Sequence, residues 1–217
     1  MAPREYYHHC LQQLLPEATS HWPEIARAYT GRAYHNLAHL EEMLGHFFAQ
    51  QPSSAPVRQA QGPPAAAPSK EALFGLALIY HDVVYTAGRS DNEARSADLL
   101  EKHLLAAGGR PEDADYCRRL IMATRKHVTD ADDDSRQALL VDLDLAVLAR
   151  PASDYAEYVR NIRQEFRLFP NFLYRRGRRK ALEHFLAQEN IYNTATLRDQ
   201  WEATARQNLR KEIAGLQ

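Results

Sequence analysis

An all-α fold is predicted by two features of the 217-residue sequence: glycine is scarce, with nine in all, and apolar residues recur at intervals of three and four rather than two. No stretch reads convincingly as a strand. Trp22-Pro23 opens a short helix that Gly31 stops, since proline suits a first helical position and glycine the residue past the end. A second helix is expected from about His35 to Ala49. Residues 51–69 hold five of the eleven prolines and no periodicity, so they read as an inserted loop. Glu71 to Val84 is apolar around most of the wheel, as a buried helix is, and it ends in His81-Asp82. Ser90 and Glu93 have capping-box spacing before a helix that Gly108-Gly109 ends. Pro111 starts the next, which runs through Leu120 and Ile121 toward Arg125–His127. The acidic turn Asp130–Asp134 separates it from a helix over LLVDLDLAVLA, closed by Pro151. Ser153 is expected to cap a helix bearing Tyr158, Val159 and Ile162. Two more follow, with Leu182, Phe185 and Leu186, then Leu197, Trp201 and Leu209. The expected architecture is one helical bundle over residues 1–217.

Composition sets the outer bounds. Hydrophobic residues at 45% and charged residues at 25% fit a globular chain with a sizeable core, and exclude collagen-like or disordered classes. The longest apolar run, Ala72–Tyr80, is far short of the ~20 residues a spanning helix needs. The opening MAPREYYHHC lacks the parts of a signal peptide, so a cytoplasmic location is expected. Lys plus Arg number 27 against 28 Asp plus Glu, a net charge of −1 that gives no global field for nucleic acid or an anionic membrane. Cys10 and Cys117 form no framework and no CxxC pair.

Chemistry is suggested where polar, metal-competent side chains interrupt stretches that otherwise ask for burial. His35 and His39, four apart in YHNLAH, would share a helical face and converge. His81-Asp82 ends an apolar helix. Asp142 and Asp144 sit in an apolar run, where an unpaired carboxylate costs several kcal/mol and requires a cation or many donors. Any of these alone is ordinary. Together, in the order His, His-Asp, Asp, they point to a metal site.

These segments resemble the HD-domain metal-dependent phosphohydrolases, whose name comes from the dipeptide seen here as His81-Asp82. The resemblance covers most of the chain through YHNLAHLEEML, LIYHDVVY with DNEARSA, ATRKH, DLDLAVL, Tyr158 with Arg163 and Glu165, and the later GRRKALEHFL, IYNT and ARQNL. The prolines of 52–68 depart from it. YHNxxH is also similar to the entry motif of cyclic-nucleotide phosphodiesterases, which implies His39 as ligand and His35 as the acid that protonates the leaving oxygen. The resemblance implies a divalent ion (Mn, Fe, Co, Ni, Zn or Mg) on His39, His81, Asp82 and Asp144, with Asp82 also counted among the catalytic groups. Asp142 and Asp144 both fit the last aspartate. They lie ~200° apart on a helix, so they do not equally face one ion; Asp144 is preferred, with Asp142 in reserve or as its partner.

Several assignments stay open at this level. His127 is either a substrate contact or second-metal ligand, with Arg125 and Lys126 beside it, or a solvated helix-end histidine. Glu93 positions water or merely caps its helix. Arg175, Arg176, Arg178, Arg179 and Lys180 hold a phosphate or form a solvated face, the latter preferred. The expected function is hydrolysis of a phosphate ester of a nucleotide or another small phosphorylated metabolite, with no membrane partner. The alternative is an inactive HD fold serving as a nucleotide sensor or protein-interaction module. Nucleic-acid binding is disfavoured by the neutral charge and the lack of interleaved aromatics.

Overall fold

The computed structural model describes residues 1–51, 69–127, 129 and 135–216, and every regular element among them is helical. The expected loop at 51–69, apart from its end residues, and the acidic turn at 130–134 lie outside the described residues. The helices are α1 (Pro3–Leu14), α2 (Trp22–Ala28), α3 (Leu37–Gln50), α4 (Lys70–Tyr80), α5 (Asn92–Ala106), α6 (Pro111–Thr124), α7 (Ser135–Asp144), α8 (Ala152–Glu165), α9 (Asn171–Ala187) and α10 (Ala195–Gly215). A 3-10 segment over Leu145–Ala149 joins α7 to α8. No helix among the described residues is long and apolar enough to cross a membrane.

Two apolar clusters organise the bundle. The first gathers α1 to α6 around α4, where Leu76, Leu78 and Ile79 are buried with Leu40, Leu44 and Leu120. The second joins the 3-10 segment to α8, α9 and α10 through Val147, Leu148, Ile162, Leu182 and Leu209. Short α7 belongs to both, because Leu140 and Leu143 face the first cluster and Val141 the second. Its two aspartates therefore stand at the seam. Helix α1 was not anticipated from the sequence. Its Tyr6 and Cys10 close onto α4 at Gly75, where an added Cβ would come within 2.8 Å of the Tyr6 ring.

Several boundaries differ from expectation, each for a local reason. Helix α3 starts at Leu37 because Asn36 is its N-cap, accepting from the backbone N–H of Ala38 at 2.9 Å and of His39 at 3.4 Å. His35 thus precedes the helix instead of sharing its face. The Ser90/Glu93 capping box does not form: the N-cap is Asp91, whose carboxylate accepts from Arg89 at 2.7 Å, while Asn92 bonds both backbone groups of Thr86. Ser153 lies inside the first turn of α8, behind an N-cap at Pro151. Past Asp144 the chain tightens into 3-10 turns, and the carbonyls of Leu145, Leu148 and Arg150 accept instead from Tyr192 and Asn208. The end of α5 follows the sequence. Gly108, at φ +83, allows its own N–H to reach Leu105 and that of Gly109 to reach Leu104, the paired bonds of a Schellman turn.

Candidate metal centre

His39 comes from the first turn of α3, His81 and Asp82 from the two residues after α4, and Asp144 from the last residue of α7. Their donor atoms lie within 4.8 Å of one another, so the four can hold a metal ion. His81 Nδ1 donates to the Leu78 carbonyl at 2.8 Å, and a carbonyl only accepts, so the neutral ring carries its lone pair on Nε2. His39 Nδ1 meets the Tyr34 hydroxyl at 3.2 Å. Both Nε2 atoms are fully buried without a hydrogen-bond partner. They face carboxylates all the same: His39 Nε2 is 3.3 Å from Asp144 Oδ1, and His81 Nε2 is 3.2 Å from Asp82 Oδ2 and 3.6 Å from Asp144 Oδ1.

Donors about 2.1 Å from a common ion at right or tetrahedral angles stand roughly 3.0–3.4 Å apart, close to these separations. Two orphaned imidazole nitrogens converging with two carboxylates therefore fit a divalent cation. The electrostatics agree. Burial would push His81 down, but the Asp82 and Asp144 carboxylates outweigh it and hold the imidazole well above its ordinary range. Asp82 is held at about 2, since the charges of His81 and His35 overcome a burial that alone would raise it. The pocket demands positive charge.

Asp142 is not in the cluster. It is completely buried on the other side of α7, where Oδ1 accepts from the Asn193 backbone at 2.7 Å and side chain at 3.0 Å, and Oδ2 accepts from the Thr194 backbone and hydroxyl, each at 2.7 Å. Four donors satisfy it without a cation. The loop delivering them is fixed by α10, because Glu202 accepts from the N–H of Ile191 and Tyr192 while Arg206 donates to the carbonyls of Leu186, Gln188 and Glu189. Since two residues of a helix point nearly opposite ways, pinning Asp142 on this loop turns Asp144 into the cluster.

His35 stands beside the cluster, with Nε2 3.9 Å from Asp82 Oδ2. Its Nδ1 bonds Glu165 Oε2 at 2.6 Å, and the other Glu165 oxygen accepts from the backbone N–H of Tyr34 at 2.8 Å and of His35 at 3.0 Å. Burial raises Glu165, but the His35 ring and those two amides prevail and hold it at about 2. Tyr85 stacks on the His35 ring at 3.9 Å. Arg32 donates to the carbonyls of Asp82 at 2.5 Å, Val83 at 2.8 Å and His35 at 3.3 Å, so one guanidinium joins the segment of His35 to that of His81 and Asp82. Glu165 and Tyr85 lie in segments that carry only the family resemblance, and Arg32 has no sequence signal; their partners His35, His35 and Asp82 are 130, 50 and 50 residues away along the chain.

The remaining candidates divide. His127 lies beside the four-residue cluster, with Nε2 3.4 Å from Asp144 Oδ2, its ring against Phe185, and a backbone at φ +52 that non-glycine residues seldom adopt. Glu93 is half-buried and raised by burial and then by the charges of Asp82 and Asp144, with Arg125 opposing. It is close enough to feel the cluster, and the cap that would have explained it is absent. Arg125 and Lys126 are exposed beyond α6. The basic run is not a uniform face: Arg178 is mostly buried against Glu212 and Tyr158.

No protein-family model matches the chain, and neither a curated protein nor a solved structure does.

Proposed function

We propose that the protein is a metal-dependent phosphohydrolase that hydrolyses a phosphate ester of a nucleotide or another small phosphorylated metabolite. The observation that carries this reading is the placement of His35. A structural metal site needs only its ligands, whereas here a fifth polar side chain stands at the edge of the set, kept out of it by Glu165 and fixed in orientation. Bound on His39, His81, Asp82 and Asp144, a divalent ion supplies a water of lowered pKa and offsets charge on the phosphoryl group. The chain's own residues do the rest. Glu165 takes the Nδ1–H of His35, which aims the opposite ring edge at the cluster, where it can give a proton to the departing ester oxygen. Tyr85 covers one face of that ring and limits its rotation. Arg125, exposed beyond α6, offers a charge for a phosphate arriving from solvent. The absence of a cysteine from the ligand set separates this site from structural zinc centres of the thiolate kind.

The test is a screen of nucleotides and sugar phosphates against the protein loaded with each of Mn, Fe, Co, Ni, Zn and Mg. Release of phosphate or a phosphomonoester that disappears with His35→Ala, at unchanged metal content, supports the reading. Metal uptake with no turnover of any phosphate ester would move the protein to the class of metal-bearing sensor or interaction modules.

A further inference from the structure

A second set of metal-competent side chains lies apart from the centre, at the seam between α2 and α5. His21 is the N-cap of α2, Glu24 is in its first turn, and His103 is in the last turn of α5. One donor atom from each lies within 4.8 Å of the other two. Sequence gives little hint of this, because 79 or more residues separate His103 from the others and neither histidine belongs to a spaced motif.

The environment prepares His103 as a ligand. Its ring is buried, and burial followed by the nearby His21 pushes it below the ordinary histidine range, which keeps it a neutral imidazole. Nδ1 is 2.9 Å from the Tyr80 hydroxyl. Burial drives the Tyr80 phenol far above its usual range, so it stays protonated, and it bonds onward to Tyr7, whose oxygen also accepts from the His21 backbone N–H at 3.1 Å. With the Tyr80 hydroxyl donating to Tyr7, its oxygen accepts from the Nδ1–H of His103. The Nε2 lone pair then points at the cluster.

A lone pair that faces a carboxylate is satisfied only by a proton or a cation between them. Glu24 Oε2 is 3.5 Å from Nε2, beyond a good hydrogen bond, and its side chain is 57% exposed. The His21 ring lies parallel to the His103 ring at 3.7 Å. Parallel rings carry parallel lone pairs, so coordination requires one ring to turn. His21 is the one with room to do so, being only half-buried, and its terminal torsion is broad. Lys102, also facing the pair, is exposed and has solvent to move into.

We propose that His21, Glu24 and His103 form a second divalent-metal site, for a borderline transition ion such as Zn2+, with a further position open to water. Two imidazoles and one carboxylate suit such an ion, whereas Mg2+ and Ca2+ prefer oxygen throughout. The ion ties α2 to α5. Because α2 leads through Gly31 directly into Arg32 and His35, that tie steadies the segment on which the proposed acid stands.

Full-length protein dialysed against micromolar Zn2+ and counted for bound metal tests the site, with Co2+ absorption as a second readout. The wild type is expected to hold one ion more than Glu24→Gln or His21→Ala, or to bind that ion about tenfold or more tightly. Asp82→Ala should lose the other ion and keep this one, so failure here and failure of the phosphohydrolase reading give different patterns. Glu24 and His21 are not core residues, and circular dichroism checks that both variants stay folded. Should His21→Ala disturb the start of α2, Glu24→Gln alone decides. Equal stoichiometry and affinity in wild type and both variants would overturn the site, as would full retention of the extra ion by the double variant.

Discussion

Asp142 and Asp144 stand two residues apart in the same apolar helix, and the protein satisfies them in opposite ways. Asp142 is enclosed by four neutral donors from Asn193 and Thr194. Asp144 is faced by His39, His81 and His127, and the first two bring buried nitrogens that have no hydrogen-bond partner. One side of α7 is finished by the protein alone. The other gathers donors that could hold a metal ion. A buried carboxylate is thus no sign of a ligand by itself, and the groups opposite it decide.

The sharpest way to break this comparison is to exchange each carboxylate for its amide. Asp144→Asn is expected to lose bound metal and essentially all of the proposed phosphohydrolase activity while the helical content stays, as measured by elemental analysis, turnover and circular dichroism. Metal content unchanged from wild type would show that Asp144 is no ligand. His35→Ala should keep the metal and lower turnover about a hundredfold, the usual scale of a lost general acid. The loss should shrink for a nitrophenyl ester, whose leaving group needs no proton, and equal slowing of both ester types would remove the acid role. Glu165→Gln should show the same pattern in weaker form.

Asp142→Asn is expected to bind metal at saturating concentration and to lose about 1–3 kcal/mol of stability in urea, because an amide N–H2 would meet donors that now have an acceptor. A variant as stable as wild type would mean that the enclosure contributes nothing. The smallest effect concerns pH. Glu165 falls from an ordinary 4.5 to about 2 in the folded protein. A carboxylate lowered by folding stabilises the protein above its unfolded value, and that contribution is lost as pH falls through the folded one. Wild-type stability should therefore decline more steeply than that of Glu165→Gln between about pH 4.5 and 2, in melts of the metal-free protein; parallel curves would contradict the Glu165–His35 pair.

The helical class was legible because periodicity and the Gly108-Gly109 and Pro111 punctuation report local backbone preferences, and these held. Helix α1 has only a short local signal, Tyr6, Tyr7 and Cys10 at helical spacing after Pro3 among otherwise polar residues. The four donors that cluster were legible as polar residues in apolar runs. What the sequence does not display is which side of α7 faces which neighbour, since that depends on residues 193 and 194. Equally hidden was the partner of His35, because a bond across 130 residues leaves no periodic trace. The Ser90/Glu93 spacing misled for the converse reason: Asp91 and Asn92 offer competing local bonds that move the helix start.

The bonds from Glu165 to Tyr34 and His35, and from Asn193 and Thr194 to Asp142, have a consequence for the order in which the chain matures. On the ribosome the histidines and aspartates of the cluster all emerge before residue 165, and residues 193 and 194 come later still. Every metal-competent donor of the cluster is thus synthesised before the orienting carboxylate and before the peg for α7. The arrangement around His35 and Asp144 is complete only when these late segments dock, so the growing polypeptide carries the cluster without its orienting partners.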